Sequence, residues 1–258
     1  MTSVLDQVGL VARRSVRRTL RQPALIVPTI VFPLFLLAVN SSGLSAATNI
    51  PGFPADSYLD FAITVCFIQG AMFAAITAGT ELATDVQSGF LNRLQLTPLR
   101  RVTILIGQMA GATTLAFIGA LAYLAVGIAS GVDIKSGPVG AIVLVIYAVF
   151  IAVAFAGIGA ALGARTGSPE AVQGAFPLMF AVFFLSSMSM PRDLIAVDWF
   201  RTVATWNPAS YLIEGLRSLV ITGWDGTALW RGLAVGVGVL ALSFWAASRA
   251  LATRMART

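Results

Sequence analysis

Residues 81–101 read ELATDVQSGFLNRLQLTPLRR, and this is the longest polar segment between two long apolar runs of the 258-residue chain. Glu81 and Asp85 open the segment four residues apart, which places both carboxylates on one face of a helix. Gly89 is expected to end that helix, because glycine is a poor helix former. The pattern predicts a helix end, a turn and a second, shorter segment.

The shorter segment carries apolar side chains at helical spacing. Phe90, Leu91 and Leu94 share one edge of it. Pro98 ends it, because proline lacks an N–H and disfavours helix in the residue before it. A short helix with an apolar edge, held between two membrane spans, is suited to docking onto a partner outside the membrane. The alternative is a plain connecting loop whose leucines lie on the lipid surface, and the pattern alone leaves both open.

The composition is that of a membrane protein. Hydrophobic residues make up 57% of the chain and charged residues 11%, with a mean hydropathy of +0.86. Soluble domains carry about 25% charged residues. The basic excess of 17 Lys and Arg over 11 Asp and Glu could suggest nucleic acid, but the basic residues lie at the ends of apolar runs, so no nucleic-acid partner is expected.

The residues that are missing exclude several kinds of chemistry. The chain has no histidine, and Cys66 lies alone in an apolar run, so disulfides, zinc sites and His-dependent catalysis are excluded. Lys135 is the only lysine, and no glycine-rich loop precedes it. The chain therefore cannot hold ATP in a P-loop, which needs such a lysine. We predict no catalytic residue, metal or cofactor in this chain.

Six apolar runs reach the ~20 residues that a bilayer requires. They span about 24–44, 58–80, 102–129, 139–163, 171–190 and 229–248. The fold class predicted is an all-α integral membrane protein with six transmembrane helices in one domain, residues 1–258. Pro28 and Pro33 make the first span kinked or late to start. Gly107 and Gly111 have the small-residue spacing that lets helices pack closely.

Residues 1–22 are predicted to form an amphipathic helix. Its apolar arc consists of Leu5, Val8, Ala12, Val16 and Leu20. Its opposite arc consists of Arg13, Arg14, Arg17, Arg18 and Arg21. Such a helix lies in the membrane interface. The alternative is the basic start of a cleaved signal peptide, which the five further apolar runs disfavour.

Charge placement sets the orientation. With the N-terminus inside, 12 of the 17 basic residues fall on the inner side. Both termini and the 81–101 loop are then cytoplasmic, in a multi-pass protein of the plasma membrane.

The segment 191–228 is the longest outer connection and has helical apolar spacing. Trp206 precedes Asn207 and Pro208, which indicate a helix break and restart with Asn207 as the cap. Two short helices dipping into the outer leaflet fit this pattern, as does a plain interfacial hairpin.

Three residues of the second short helix lie three positions apart. They are Tyr211, Glu214 and Arg217, and this spacing predicts an ion pair between Glu214 and Arg217.

Two motifs resemble a known family. Glu…Gly-Phe-Leu…Leu…Thr-Pro-Leu-Arg within 81–101 and Asn-Pro-x-x-Tyr…Glu-x-x-Arg within 207–217 are similar to the permease subunit of ABC type-2 transporters, the daunorubicin-resistance-type exporters in particular. The resemblance implies a cytoplasmic coupling helix that sits in a groove of the ATP-binding subunit, formed here by Glu81, Gly89, Phe90, Leu91, Arg93, Leu94 and Pro98. It also implies re-entrant helices that close the extracellular end, formed here by Trp206, Asn207, Pro208, Tyr211, Glu214 and Arg217.

The resemblance implies the permease half of an ATP-driven exporter. A hydrophobic drug or lipid-like substrate would move outward, with ATP and Mg held by a separate ATP-binding subunit. A second permease, identical or related, would complete the pathway in the lipid bilayer. The alternatives are an exporter of polysaccharide or a lipid-linked product, and an ion-driven secondary transporter. The latter is disfavoured because Asp60 and Glu81 lie at span ends, whereas such transporters usually bury ionisable residues mid-span. A membrane enzyme and an anchoring protein are further rivals.

Overall fold

The computed structural model describes residues 4–90 and 101–255, and all regular structure within these ranges is helical. The α-helices are α1 (Val4–Leu20), α2 (Pro23–Gly43), α3 (Tyr58–Gln87), α4 (Arg101–Ala129), α5 (Gly137–Thr166), α6 (Pro169–Gly174), α7 (Phe176–Phe184), α8 (Asp198–Trp206), α9 (Pro208–Ile221) and α10 (Gly226–Met255). Two 3₁₀ turns, Ser45–Asn49 and Arg192–Leu194, lie in the connections. The all-α class is confirmed.

Five of these helices are long and apolar enough to cross a membrane, namely α2, α3, α4, α5 and α10. The count of six is not confirmed, because the predicted span 171–190 is divided into α6 and α7. Gly174 and Pro177 flank the division, and both residue types interrupt helices. The two short helices nonetheless connect opposite ends of the bundle: Gly167 before α6 lies against Val86, and Ser187 after α7 accepts a hydrogen bond from Arg217.

Helix α3 forms the centre of the bundle and is buried along most of its length. Its closest neighbour is α5, whose Gly159 and Gly163 lie against the backbone of Ala75 and Gly79. A Cβ at either α5 glycine would overlap that backbone, so the contact requires glycine. This is how small residues let two apolar helices approach in a membrane protein.

Helix α2 begins at Pro23 and continues through both internal prolines. Pro33 has no N–H to donate to the carbonyl of Thr29. The hydroxyl of Tyr123, on α4, donates to that carbonyl instead. A neighbouring helix therefore satisfies the backbone group that the proline leaves without a donor.

Polar contacts lie at the two ends of α3. Asp85 lies near the C-terminal end, where α1 and α4 contact it. The backbone carbonyl of Phe61, near the N-terminal end, accepts a hydrogen bond from Arg217 of α9. At 1.5 Å of rise per residue, these two positions are about 36 Å apart. We call the polar groups around Asp85 the α1 cluster and those around Arg217 the α9 cluster.

Candidate functional site

The α1 cluster is centred on the carboxylate of Asp85, whose side chain is only 2% exposed. Arg14 donates to both of its oxygens, with Nη1–Oδ2 and Nη2–Oδ1 distances of 2.9 Å. Arg18 donates to Oδ1 at 3.2 Å, and the side-chain amide of Gln108 donates to Oδ2. The hydrogen bond to Asp85 raises the pKa of Arg14. A buried negative charge on α3 is thus neutralised by two positive charges from α1.

Glu81 lies one helical turn before Asp85 and is also buried. The Ser15 hydroxyl lies 3.0 Å from its Oε2, and the Thr19 hydroxyl lies 2.9 Å from its Oε1. Helix α3 continues to Gln87, so Glu81 belongs to the helix interior and not to an exposed loop. The sequence placed Glu81 on a helical face, which α1 covers in this structure, and a coupling role for Glu81 stays a prediction.

Two glycines of α4 make room for α1. A Cβ at Gly107 would lie 2.6 Å from the Cβ of Val11. A Cβ at Gly111 would collide with the side chains of Ser15 and Thr19. The close packing expected from this glycine spacing is therefore confirmed, and α1 is the helix that uses it.

The predicted arginine arc of α1 is only partly outward-facing. Arg13, Arg17 and Arg21 are exposed, and Arg14 and Arg18, whose side chains are 40% and 25% exposed, also reach Asp85. The buried face consists of Val11, Ser15 and Thr19, and Leu20 of the predicted apolar arc is exposed. The prediction placed all five arginines on the arc opposite the apolar residues. It did not show that two of them bind Asp85, because a pattern within one helix does not reveal buried carboxylates on α3.

The segment predicted to couple to a partner starts directly at this cluster. After α3, Gly89 adopts a left-handed conformation with φ of +66°, which turns the chain. The guanidinium of Arg14 then lies 3.8 Å from the centre of the Phe90 ring. One arginine therefore contacts both the end of α3 and the first apolar residue of the segment. Four further residues of the prediction lie outside the described residues: Leu91, Arg93, Leu94 and Pro98.

The α9 cluster begins at the break between α8 and α9. The Asn207 side chain accepts a hydrogen bond from the backbone N–H of Ala209 at 2.9 Å, and Pro208 occupies the first helical turn. The predicted cap is confirmed. The Asn207 amide also donates to the carbonyls of Val182 and Leu185, at 2.7 and 3.1 Å. It therefore joins the break to the end of α7, while the neighbouring Trp206 is exposed.

Arg217 is almost completely buried, at 6% exposure. Its guanidinium donates to the backbone carbonyls of Phe61, Ser187 and Met188, at 3.1 to 3.2 Å. It also lies 3.4 Å from the centre of the Phe61 ring. Arg217 thus fastens α9 to α3 and to the segment after α7.

The predicted pair between Glu214 and Arg217 does not form. Glu214 instead binds Arg192 through two hydrogen bonds of 2.8 and 2.6 Å, and Arg192 lies 4.4 Å over the ring of Tyr211. The sequence spacing allowed the local pair, but the donors of Arg217 are taken by carbonyls. The partner of Glu214 comes from 22 residues earlier in the chain, where no spacing rule within a helix could find it.

The sequence model of the ABC-2 type transporter family matches residues 6–221. A daunorubicin resistance ABC transporter permease protein of Streptomyces coeruleorubidus is 24% identical over 200 residues, covering 77% of this chain and 69% of that protein. Putative transport permeases of Porphyra purpurea and Pyropia yezoensis are 24% and 26% identical over 230 and 231 residues. Each alignment covers 87% of this chain, and 77% and 78% of those proteins.

Proposed function

This chain belongs to the ABC-2 type transporter family, and from that membership we propose that it is the membrane subunit of an ATP-driven exporter. The observation that carries the proposal is the family match, which includes both the α1 cluster and the α9 cluster. The absence of a P-loop sequence supports an ATP-binding subunit on a separate chain. ATP and Mg would be bound there, and a second permease would complete the pathway.

We place the ATP-binding subunit at the end of the bundle that holds the α1 cluster. The excess of basic residues on that side supports a cytoplasmic location in the plasma membrane. The segment beginning at Gly89, with Phe90, Leu91 and Leu94, would dock onto the subunit. Arg14 contacts both Asp85 and Phe90, so movement of the segment would pass to α1 and α3 together.

An apolar drug or a lipid-like molecule is the substrate class that we propose. One relative is named for daunorubicin resistance, and this supports an apolar drug. Export of a polysaccharide or a lipid-linked product remains the alternative within the same mechanism. Ion-driven transport is less suited to the geometry, because Asp85 is neutralised by two arginines and Glu81 is covered by α1.

Co-purification with a candidate ATP-binding subunit tests the docking. Replacing Leu91 and Leu94 together by Asp puts two charges on the docking edge, and an unpaired buried charge is strongly unfavourable. The expected result is loss of the ATP-binding subunit from the purified complex. A matched variant with Met at both positions keeps the apolar edge and is expected to retain it. Equal capture by the Asp variant and the parent would mean that the segment is a passive connector.

A further inference from the structure

A cavity of about 490 Å³ lies at the end of the bundle that holds the α1 cluster, between the last turns of α5 and α10. Three arginines line it, Arg165 from α5 and Arg249 and Arg254 from α10. The rest of the lining is small or neutral, apart from the indole of Trp245. Three guanidinium groups therefore share one opening.

No carboxylate lines this cavity, and within the described residues none of its arginines forms an ion pair. The sequence has no acidic side chain anywhere from residue 226 to residue 258. The cavity beside α9 is different, because its arginines share the lining with Asp193, Glu214 and Asp225. Among the described residues, the positive charge between α5 and α10 is thus uncompensated and favours an anionic ligand.

Exposed apolar side chains lie next to these arginines on one face of α10. Leu242, Trp245 and Arg249 are spaced by three and four residues, so they lie above one another on that face. Leu242 is 69% exposed and Trp245 60% exposed, on a helix apolar enough to span the membrane. The guanidinium of Arg249 lies 5.3 Å from the centre of the Trp245 ring. Tryptophan in this position is typical of the boundary between acyl chains and headgroups.

We propose that this cavity binds the headgroup of an anionic phospholipid from the adjacent leaflet. Arginine matches the geometry of a phosphate with two parallel hydrogen bonds. Basic pockets between transmembrane helices on the cytoplasmic side are suited to such headgroups. The acyl chain would lie along Trp245 and Leu242, which a soluble phosphate ester could not use. This site is separate from the transport function proposed above and does not depend on it.

The position of Arg254 gives the bound lipid a structural consequence. Its guanidinium lies against Gly167, whose φ of +62° forms the left-handed turn between α5 and α6. Gly167 in turn lies against Val86, the residue after Asp85 on α3. A headgroup on Arg254 would therefore fix the end of α10, the α5–α6 turn and the end of α3 relative to one another.

Fluorescence quenching by brominated lipids tests the proposal on the full chain. In a variant that keeps Trp245 and has Phe at the other four tryptophans, brominated phosphatidylglycerol and brominated phosphatidylcholine are compared in reconstituted vesicles. We expect phosphatidylglycerol to bind beside Trp245 at least about 25-fold more tightly, the product of about fivefold from each of two arginines. Since each arginine near an anionic leaflet favours binding about fivefold, Arg165→Gln with Arg249→Gln should remove most of that preference.

Three controls make the outcome decisive. Arg165→Lys with Arg249→Lys keeps the charge and is expected to retain most of the preference, which separates loss of charge from loss of folding. Arg13→Gln with Arg17→Gln removes two exposed arginines of α1 and should leave the preference at Trp245 unchanged. Glycerol 3-phosphate should not compete. Equal quenching by both lipids, a preference that survives the Gln pair, or displacement by glycerol 3-phosphate would each overturn the proposal.

Discussion

The α1 cluster and the α9 cluster both contain arginines that bind buried groups at the ends of α3, but those groups differ. In the α1 cluster, Arg14 and Arg18 bind the carboxylate of Asp85. In the α9 cluster, Arg217 binds three backbone carbonyls. The arginines of α1 are 40% and 25% exposed at their side chains, whereas Arg217 is almost completely buried.

This difference indicates that α1 can separate from α3 at a lower cost in free energy than α9 can. If α1 moves away from α3, Arg14 and Arg18 can be hydrated, because they already reach water. If α9 moves away, Arg217 and three carbonyls lose their partners at once, and buried polar groups without partners are costly. We therefore expect the α1 cluster to be the part of the fold that can open, and the α9 cluster to be the part that cannot.

The largest effect is expected from Arg217→Met. The substitution leaves the carbonyls of Phe61, Ser187 and Met188 without their donor, and should lower the free energy of unfolding by about 3 kcal/mol or more. Thermal unfolding in detergent measures it. The matched control is Arg201→Met, because the ion-pair partner of Arg201 among the described residues is the exposed Asp198, and the loss of such a pair should change stability little. Equal melting temperatures for the two variants would show that the hydrogen bonds of Arg217 do not stabilise the fold.

Asp85→Asn is expected to have the next largest effect. It removes the negative charge that binds Arg14 and Arg18, and should cost roughly 1–3 kcal/mol, since these arginines can be hydrated. Hydrogen exchange should increase in α1 and remain slow in α9. Arg14→Gln in the Asp85→Asn background should then cost much less than Arg14→Gln in the parent. Uniform acceleration of hydrogen exchange across the bundle would contradict the idea that α1 opens locally.

Gly111→Ala tests whether α1 needs the space on α4. The added methyl group would collide with Ser15 and Thr19, and such overpacking costs about 1–3 kcal/mol. Gly9→Ala is the control, because a Cβ there meets no atom within 4 Å. That change should be neutral or stabilise the helix by up to about 1 kcal/mol. Identical effects of the two substitutions on thermal unfolding would show that α1 is not packed against α4 in this way.

The smallest effect is expected from Glu214→Gln. Its partner Arg192 and Glu214 itself are partly exposed, so the pair should contribute about 1 kcal/mol or less. The effect should be shared with Arg192→Gln, so that the double variant is no less stable than either single one. A double-mutant cycle between Glu214 and Arg217 is the comparison. Coupling in that cycle instead would restore the pair that the spacing suggested.

Features governed by local sequence could be predicted. Asn207 caps α9 and Pro208 follows in its first turn, because both effects depend on neighbouring backbone groups. Long apolar runs gave the five spanning helices, since length and composition suffice for that. Gly107 and Gly111 indicated a close helix contact, although the sequence did not show that α1 makes it.

Features that join distant segments could not be predicted in the same way. Glu214 pairs with Arg192, and Asp85 with Arg14, across 22 and 71 residues. The sequence signal near the second contact was the polar pair Ser15 and Thr19, each of which directly follows one of the arginines that bind Asp85. The division of the predicted fifth span at Ala175 was likewise missed, although Gly174 and Pro177 flank it, because the run is long and mostly apolar.

ATP-dependent uptake into inverted membrane vesicles tests the central claim most directly. Vesicles would contain this chain with a candidate ATP-binding subunit, and the probe would be a fluorescent apolar drug. We predict uptake that requires both chains and hydrolysable ATP, and that persists when the proton gradient is dissipated. Uptake driven by the proton gradient alone, or ATP-dependent uptake that is unchanged without this chain, would contradict the account.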